Sequence, residues 1–226
     1  MMIAPFYPIV DAGVLATRGV SVEAFATAMR AAGVELLQYR DKTAGPQAVL
    51  RGAASIREIF RGAECRLILN DRADLAVLAR WDGVHVGQGD LSPEDAKAIM
   101  RCTIPHPLPN RKEWGTRNLG ELIVGASTHT ERQVRVADAG CADYVAVGPV
   151  FRTGTKLDAE PVIGLDGVRR ARALTAKPLI AIGGIVRGNA RSVVEAGADS
   201  VAVIGGLFVP GESVEKVARD FLDLFR

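Results

Sequence analysis

Cysteine is scarce: Cys65, Cys102 and Cys141 are the whole complement in 226 residues. An odd, widely spaced trio suits neither a disulfide framework nor a zinc site and reads as reduced core or surface thiols. An excess of one charge is missing too. With 28 Lys and Arg against 26 Asp and Glu, the formal net charge is only +2, which argues against a general nucleic-acid footprint. No apolar run approaches the roughly eighteen residues that span a bilayer. The start "MMIAPFYPIVDAG" has neither the basic opening nor the small-residue cleavage site of a signal peptide. These absences point to a cytoplasmic protein with no nucleic-acid or membrane partner. Hydrophobic residues make up 48% and charged residues 24%, an ordinary globular balance that argues against disorder.

What is present has a rhythm. The apolar, β-branched-rich runs "FYPIV", "VELLQYR", "RLILND", "GVHVG", "LIVGAS", "YVAVGPV", "PLIAIGG" and "SVAVIGG" recur along the chain. Alanine-rich amphipathic stretches such as "VEAFATAMRAA", "PQAVLRGAASIREIF", "PEDAKAIM", "ERQVRVADA" and "VRRARAL" lie between them. Short runs that are apolar on both faces indicate parallel strands covered by helices. An internal echo supports this. "DAGCADYVAVGPVF" and "EAGADSVAVIGGLF" share a helix end, a Gly, an acidic residue, a strand and further Gly, and "AAGVELLQYR" and "RWDGVHVGQ" are fainter copies. Gly33, Gly140 and Gly197 are each expected to end a helix in the left-handed conformation. A repeated βα unit in a chain of this length favours a single-domain (β/α)8 TIM barrel. A doubly wound open sheet is the runner-up, but "VDAGVLATRG" after the first strand is not a G-x-G-x-x-G. The Pro-containing segment Arg101–Glu121 interrupts the rhythm and is expected to be a surface loop or a contact in a homo-oligomer.

In such barrels the chemistry gathers at the carboxyl ends of the strands. The second strand ends in Gln38, Arg40 and Lys42, the third in Asn70 and Asp71, the fourth in Gln88 and Asp90, and the fifth in Ser127 with His129 nearby. The sixth runs into Thr153, Thr155 and Lys156, and the last two end in Gly183–Gly184 and Gly205–Gly206. Asp71 and Asp90 come from adjacent strands, and two nearby carboxylates repel unless a cation joins them or one takes a proton. Oxygen donors without a His or Cys cluster suit Mg2+, which uses one or two carboxylates, waters and substrate phosphates. Arg40, Lys42 and Lys156 add positive charge to the same rim, as a diphosphate requires. The glycines suit a second anion held by backbone N–H groups.

Each of these residues has a plainer role. Asp71 could cap the following helix, Asp90 could pair with Lys42, the Gly pairs could serve tight barrel turns, and Thr153 and Thr155 could order a loop. His85 is expected to pack along its strand and His129 to begin a helix. The gathering of so many such residues at strand ends outweighs the separate plain readings.

The blocks "QYRDK", "LILNDRADLA", "GVHVGQGDL", "GASTHT", "VAVGPVFRTGTK", "AIGGI" and "ADSVAVIGGLF", in this order, resemble the thiamine-phosphate synthase family over nearly the whole chain outside Arg101–Glu121. The resemblance implies a TIM barrel that joins 4-amino-2-methylpyrimidine methyl diphosphate to hydroxyethylthiazole phosphate, releasing diphosphate. It also implies that Gln38, Tyr39, Arg40, Asp41 and Lys42, with Asn70, Ser127 and Lys156, hold the pyrimidine diphosphate. Arg40, Lys156 and Ser127 would be the catalytic groups. Asp71 and Asp90 would bind Mg2+, while Thr153, Gly154, Thr155, Gly184, Ile204 and Gly205 would hold the thiazole phosphate. Gly205 stands where members of the family often carry Ser. Val150–Glu160 is the expected closing loop. Two rivals remain at this level: a thiazole tautomerase of the same fold, which has no need of a diphosphate site, and a non-catalytic binder of phosphorylated ligands.

Overall fold

Each of the apolar runs becomes a strand, and each strand is followed by a helix. The structure, a computed structural model, describes residues 3–101, 122–154 and 161–225. The first half runs β1 (Phe6–Asp11), α1 (Ala12–Thr17), α2 (Val22–Ala32), β2 (Leu36–Arg40), α3 (Pro46–Ile59), β3 (Arg66–Asn70), α4 (Ala73–Ala79), β4 (Gly83–Val86) and α5 (Pro93–Arg101). The second half runs β5 (Ile123–Thr128), α6 (Glu131–Ala139), β6 (Tyr144–Val147), α7 (Gly164–Arg172), β7 (Leu179–Ile182), α8 (Arg187–Glu195), β8 (Ser200–Val203), a 3-10 turn (Gly205–Leu207) and α9 (Val214–Asp223). Neighbouring strands pair in parallel in chain order, and Phe6 of β1 pairs with Val201 of β8. That last pairing closes the barrel and rules out the open sheet. Of the interrupting segment, only Arg101 at the end of α5 is described; the expected loop or subunit contact lies outside the described residues.

The strands are buried on both faces because successive side chains alternate between two cores. Phe6, Val10, Leu37, Tyr39, Leu67 and Leu69 face the helices. Tyr7, Ile9, Leu36, Ile68, Ile123, Tyr144, Ala146, Ile180 and Ala202 fill the barrel interior. One interior position is empty by necessity. A Cβ at Gly125 of β5 would lie 1.9 Å from Cζ of Tyr144, so the missing side chain makes room for the tyrosine ring.

The internal echo has a structural cause at the base of the barrel. Asp82, Asp143 and Asp199 stand just before β4, β6 and β8. Their carboxylates accept from the backbone N–H of Leu67, Val124 and Leu179 at 2.8, 2.8 and 2.7 Å. The backbone N–H groups of the same aspartates donate back to the carbonyls of Leu67, Val124 and Leu179 at 3.0, 2.7 and 2.8 Å. Each aspartate therefore latches an odd-numbered strand to the even-numbered one that follows it.

The glycines of the echo divide. Gly33 (φ 87°) and Gly197 (φ 110°) take the left-handed conformation, as expected at helix ends. Gly140 does not: it ends α6 in an extended conformation, φ −89° and ψ −166°. Its lack of a side chain serves another purpose, because a Cβ there would sit 2.7 Å from the Glu94 carboxylate, which accepts from the Cys141 N–H at 2.9 Å.

Candidate active site

Strand alternation and closure together bring one set of side chains to the carboxyl mouth. Asp11 and Arg40 are register partners on β1 and β2, and Asn70 on β3 is opposite His85 on β4. Arg40 donates through one guanidinium nitrogen to Asp11. The other oxygen of Asp11 accepts from Val14 N–H at 3.0 Å and so caps α1. Asp11 is a site residue that the strand-end reading passed over, although "FYPIVD" carries the same signal as "RLILND": a carboxylate closing an apolar run.

The side chains of the segment Gln38–Lys42 do not all face the mouth. Gln38 and Arg40 point inward, but Tyr39 faces the helices. Its ring lies 6.2 Å from that of Trp81 and fills the space left by Gly52 on α3. Burial, reinforced by Asp41, pushes the Tyr39 phenol up to about 12. The Asp41 carboxylate is spent locally, accepting from Thr43 N–H, Thr43 Oγ1 and Ala44 N–H at 3.0, 3.2 and 2.9 Å. It shapes the turn into α3 from which Lys42 projects. The Tyr39 and Asp41 side chains thus support the mouth from outside it.

Lys42 reaches across to the Asp71 carboxylate. Asp71 does not cap α4, whose N-cap position is held by Arg72 without a side-chain capping bond. Instead Asp71 adopts φ 63°, with its N–H bonded to the His85 carbonyl at 2.7 Å. Asp90 approaches from the loop after β4, where its Oδ2 accepts from Gly87 N–H at 2.8 Å. The plainer alternative of an Asp90–Lys42 bridge does not hold: Lys42 pairs with Asp71, with Asp90 alongside. Burial, with Asp90 adding to it, holds the Asp71 carboxyl above the usual carboxylate range against the pull of Lys42. Burial also acts on Asp90, but hydrogen bonds from the Asp71 carboxyl and the Gly87 N–H outweigh it and bring Asp90 down. Two carboxylates close enough to compete for one proton are also close enough to share one cation.

Deeper in the barrel, Ser127 Oγ meets His85 Nε2 at 2.8 Å. His85 is buried as expected, but it is not simply packing. Its Nδ1 meets Tyr144 Oη at 2.9 Å, and burial, opposed only by Asp90, pulls its pKa down to about 4. His129 precedes α6, as expected, with Nδ1 2.8 Å from the Gly148 carbonyl. Gln88 donates to the Ser127 carbonyl at 2.6 Å, tying the loop after β4 to the end of β5.

Opposite this group lie the turns after β6, β7 and β8. Gly183 and Gly184 have φ of 102° and 65°, and a Cβ on Gly184 would lie 2.4 Å from the Arg152 carbonyl. Phe151 N–H donates to the Gly183 carbonyl at 3.0 Å, so the loop bearing Thr153 and Gly154 rests on the glycine turn. A Cβ on Gly206 would lie 2.3 Å from the Ile185 carbonyl, which brings Ile204 and Gly205 against the same turn. Thr155 and Lys156, and with them most of the expected closing loop, lie outside the described residues.

Comparison with known proteins adds an independent line. A family model described as thiamine monophosphate synthase matches residues 6–104 and 115–207. A thiamine-phosphate synthase from Koribacter versatilis is 44% identical over 185 residues, covering 82% of this chain and 79% of that protein. One from Chloroflexus aurantiacus is 37% identical over 213 residues, covering 94% and 88%. The solved structure of thiamine phosphate pyrophosphorylase from Pyrococcus furiosus superposes with a TM-score of 0.77 at 30% identity, covering 98% of this chain and 95% of that one. By the extent of the match, the order of the motifs and the closed barrel that carries them, this chain belongs to the thiamine monophosphate synthase family.

Proposed function

We propose that this chain joins 4-amino-2-methylpyrimidine methyl diphosphate to hydroxyethylthiazole phosphate, forming thiamine phosphate and diphosphate. The observation that carries the reading is the meeting of Asp71 and Asp90 beside Lys42 at the barrel mouth. That constellation suits a polyanion accompanied by a divalent cation and has no purpose in a plain isomerase of the thiazole. Among the described residues, no group of three or more His, Cys, Asp and Glu side chains converges as a metal cage. A pair of carboxylates open to the mouth fits Mg2+, which completes its shell with water and substrate phosphate. When bound at Asp71 and Asp90, Mg2+ supplies positive charge against the phosphate oxygens.

The chain's own residues account for the rest. Arg40, held by Asp11, and Lys42 oppose the negative charge that builds on the departing diphosphate, and Lys156 is assigned to the same task by its place in "FRTGTK". Gln38, Asn70 and Ser127 orient the pyrimidine. The electron-rich aminopyrimidine carries the positive charge left by C–O cleavage, and the thiazole nitrogen attacks it. Thr153, Gly154, Thr155, Gly184, Ile204 and Gly205 receive the thiazole phosphate, largely through backbone N–H groups, since Gly205 offers no hydroxyl.

The test is a reaction with both substrates and Mg2+. Diphosphate release that depends on both substrates supports the synthase. Isomerisation without release indicates a tautomerase, and binding without turnover a non-catalytic protein. Asp90→Asn is expected to lower kcat on the order of a hundredfold at fixed Mg2+ and to raise the metal concentration needed for half-maximal rate. An unchanged metal titration would remove Asp90 from the cation site.

A further inference from the structure

A continuous line of hydrogen bonds crosses the barrel interior. Gln38 Nε2 donates to Tyr7 Oη at 2.9 Å, Tyr7 Oη lies 3.1 Å from Tyr144 Oη, and Tyr144 Oη lies 2.9 Å from His85 Nδ1. His85 Nε2 then meets Ser127 Oγ at 2.8 Å. The line visits β2, β1, β6, β4 and β5. Its three middle members are sealed from solvent: Tyr7 is 1% exposed, Tyr144 0% and His85 8%. The imidazole also stacks on the Tyr144 ring, 5.5 Å between centroids and 17° between planes. Gly125 gives up its side chain so that Tyr144 can lie where it does.

We propose that Tyr7, Tyr144 and His85 are positioning residues that fix the hydrogen-bonding sense of Gln38 and Ser127, and thereby select an aminopyrimidine over an oxopyrimidine. This rests on the reading above, which gives Gln38 and Ser127 to the pyrimidine. An amide nitrogen can only donate, so Tyr7 Oη accepts from Gln38 and has one proton of its own to place. The arrangement that gives every buried hydroxyl proton an acceptor passes that proton to Tyr144, and the Tyr144 proton to His85 Nδ1. A neutral imidazole that accepts at Nδ1 carries its proton on Nε2, and Ser127 Oγ accepts it. The Ser127 proton is then free to donate to a ligand, and the Gln38 carbonyl oxygen is free to accept. Turning one end alone breaks the line: with the His85 tautomer reversed the Tyr7 proton has no acceptor, and with the Gln38 amide reversed the two tyrosine oxygens face each other with no proton between them, which is costly in a dry interior. An aminopyrimidine supplies the complements, an amine that donates and a ring nitrogen that accepts. Its 4-oxo counterpart presents a carbonyl and a ring N–H, the opposite pattern.

The experiment compares the 4-amino and 4-oxo pyrimidine methyl diphosphates in wild type, Tyr7→Phe and Tyr144→Phe. Affinity is read by calorimetry without thiazole phosphate, and kcat/KM with it. Each variant removes one hydroxyl from the middle of the line and leaves Gln38 and Ser127 in place; thermal melts establish that each is folded. Breaking the line frees the Gln38 amide to turn over, so the preference for the amino compound is expected to fall at least about tenfold in either variant. KM for thiazole phosphate should stay within about twofold, because those contacts lie on the opposite turns. A preference that stays at the wild-type value in a folded variant overturns the proposal. So does a loss that is equal for both pyrimidines and for the thiazole, since that is the mark of general loosening. Wild-type diphosphate release tests the reaction itself, so a failure there is distinguishable from a failure of the line.

Discussion

At Asp71 the Arg72 N–H folds back onto the Asn70 carbonyl at 2.8 Å, closing a γ-turn about a residue with φ 63°. A side-chain-bearing residue held in such a turn costs on the order of 1–3 kcal/mol, whereas glycine enters that region without steric penalty. Asp71→Gly should therefore raise the melting temperature, by about 2–4 °C for each kcal/mol recovered, while abolishing Mg2+-dependent turnover. A melt and a turnover assay on the same preparation check both halves, and a less stable variant would show that the carboxylate serves the fold. Its position was legible because a carboxylate closing an apolar run has no packing purpose. Asp11 sends the same signal from β1 and is answered by Arg40, as Asp71 is by Lys42. Tyr7, His85 and Tyr144 were not legible as a group. Each looks like interior packing on its own strand, and their meeting depends on the register of several strands at once.

Element by element, two of the three glycines expected to end helices do so in the left-handed conformation, while the helix starts carry local signals that went unread. Ser21 caps α2, with Oγ accepting from Ala24 N–H at 3.1 Å, and Thr130 with Gln133 forms a capping box on α6. These are local, four-residue patterns that do not depend on distant contacts. Gly140 misled because Glu94, distant in sequence, claims the volume that a side chain would take. Gly125 gave no local sign of its purpose. Gly125→Ala is expected to destabilise by about 1–3 kcal/mol through overpacking, measured by urea denaturation. A neutral result would mean that Tyr144 can shift without loss.

Over the whole molecule, closure depends on the last helix as well as the last strand. Phe221 of α9 is fully buried and stacks on Phe6 of β1 with centroids 5.0 Å apart and planes within 5°. Phe221→Ala should cost about 3–5 kcal/mol, and the check is the denaturant midpoint. A smaller loss would mean that the site collapses onto the gap. Ahead of α9, hydrogen bonds from Arg187 and Lys216 hold the Glu212 carboxyl down to about 2, from an ordinary 4.5. A depressed carboxylate stabilises above its unfolded pKa, and the contribution fades as pH falls from about 4.5 toward about 2. Glu212→Gln should therefore lower the melting temperature at neutral pH and lose that effect in strong acid, and melts across the range test the sign. The barrel class was visible from the recurrence of apolar runs; what the recurrence could not reveal was why an acidic residue belongs to it.

The latching aspartates answer that, and they have a consequence for the chemistry. A slip of one residue between paired strands would turn every inward side chain outward. Such a slip would also pull a carboxylate away from the amide it grips. Asp82 fixes β4 on β3, so His85 comes level with Asn70. Asp143 fixes β6 on β5, so Tyr144 comes level with Gly125. The floor of the barrel thus acts as a gauge, and groups that never meet a substrate decide which side chains stand face to face at the rim.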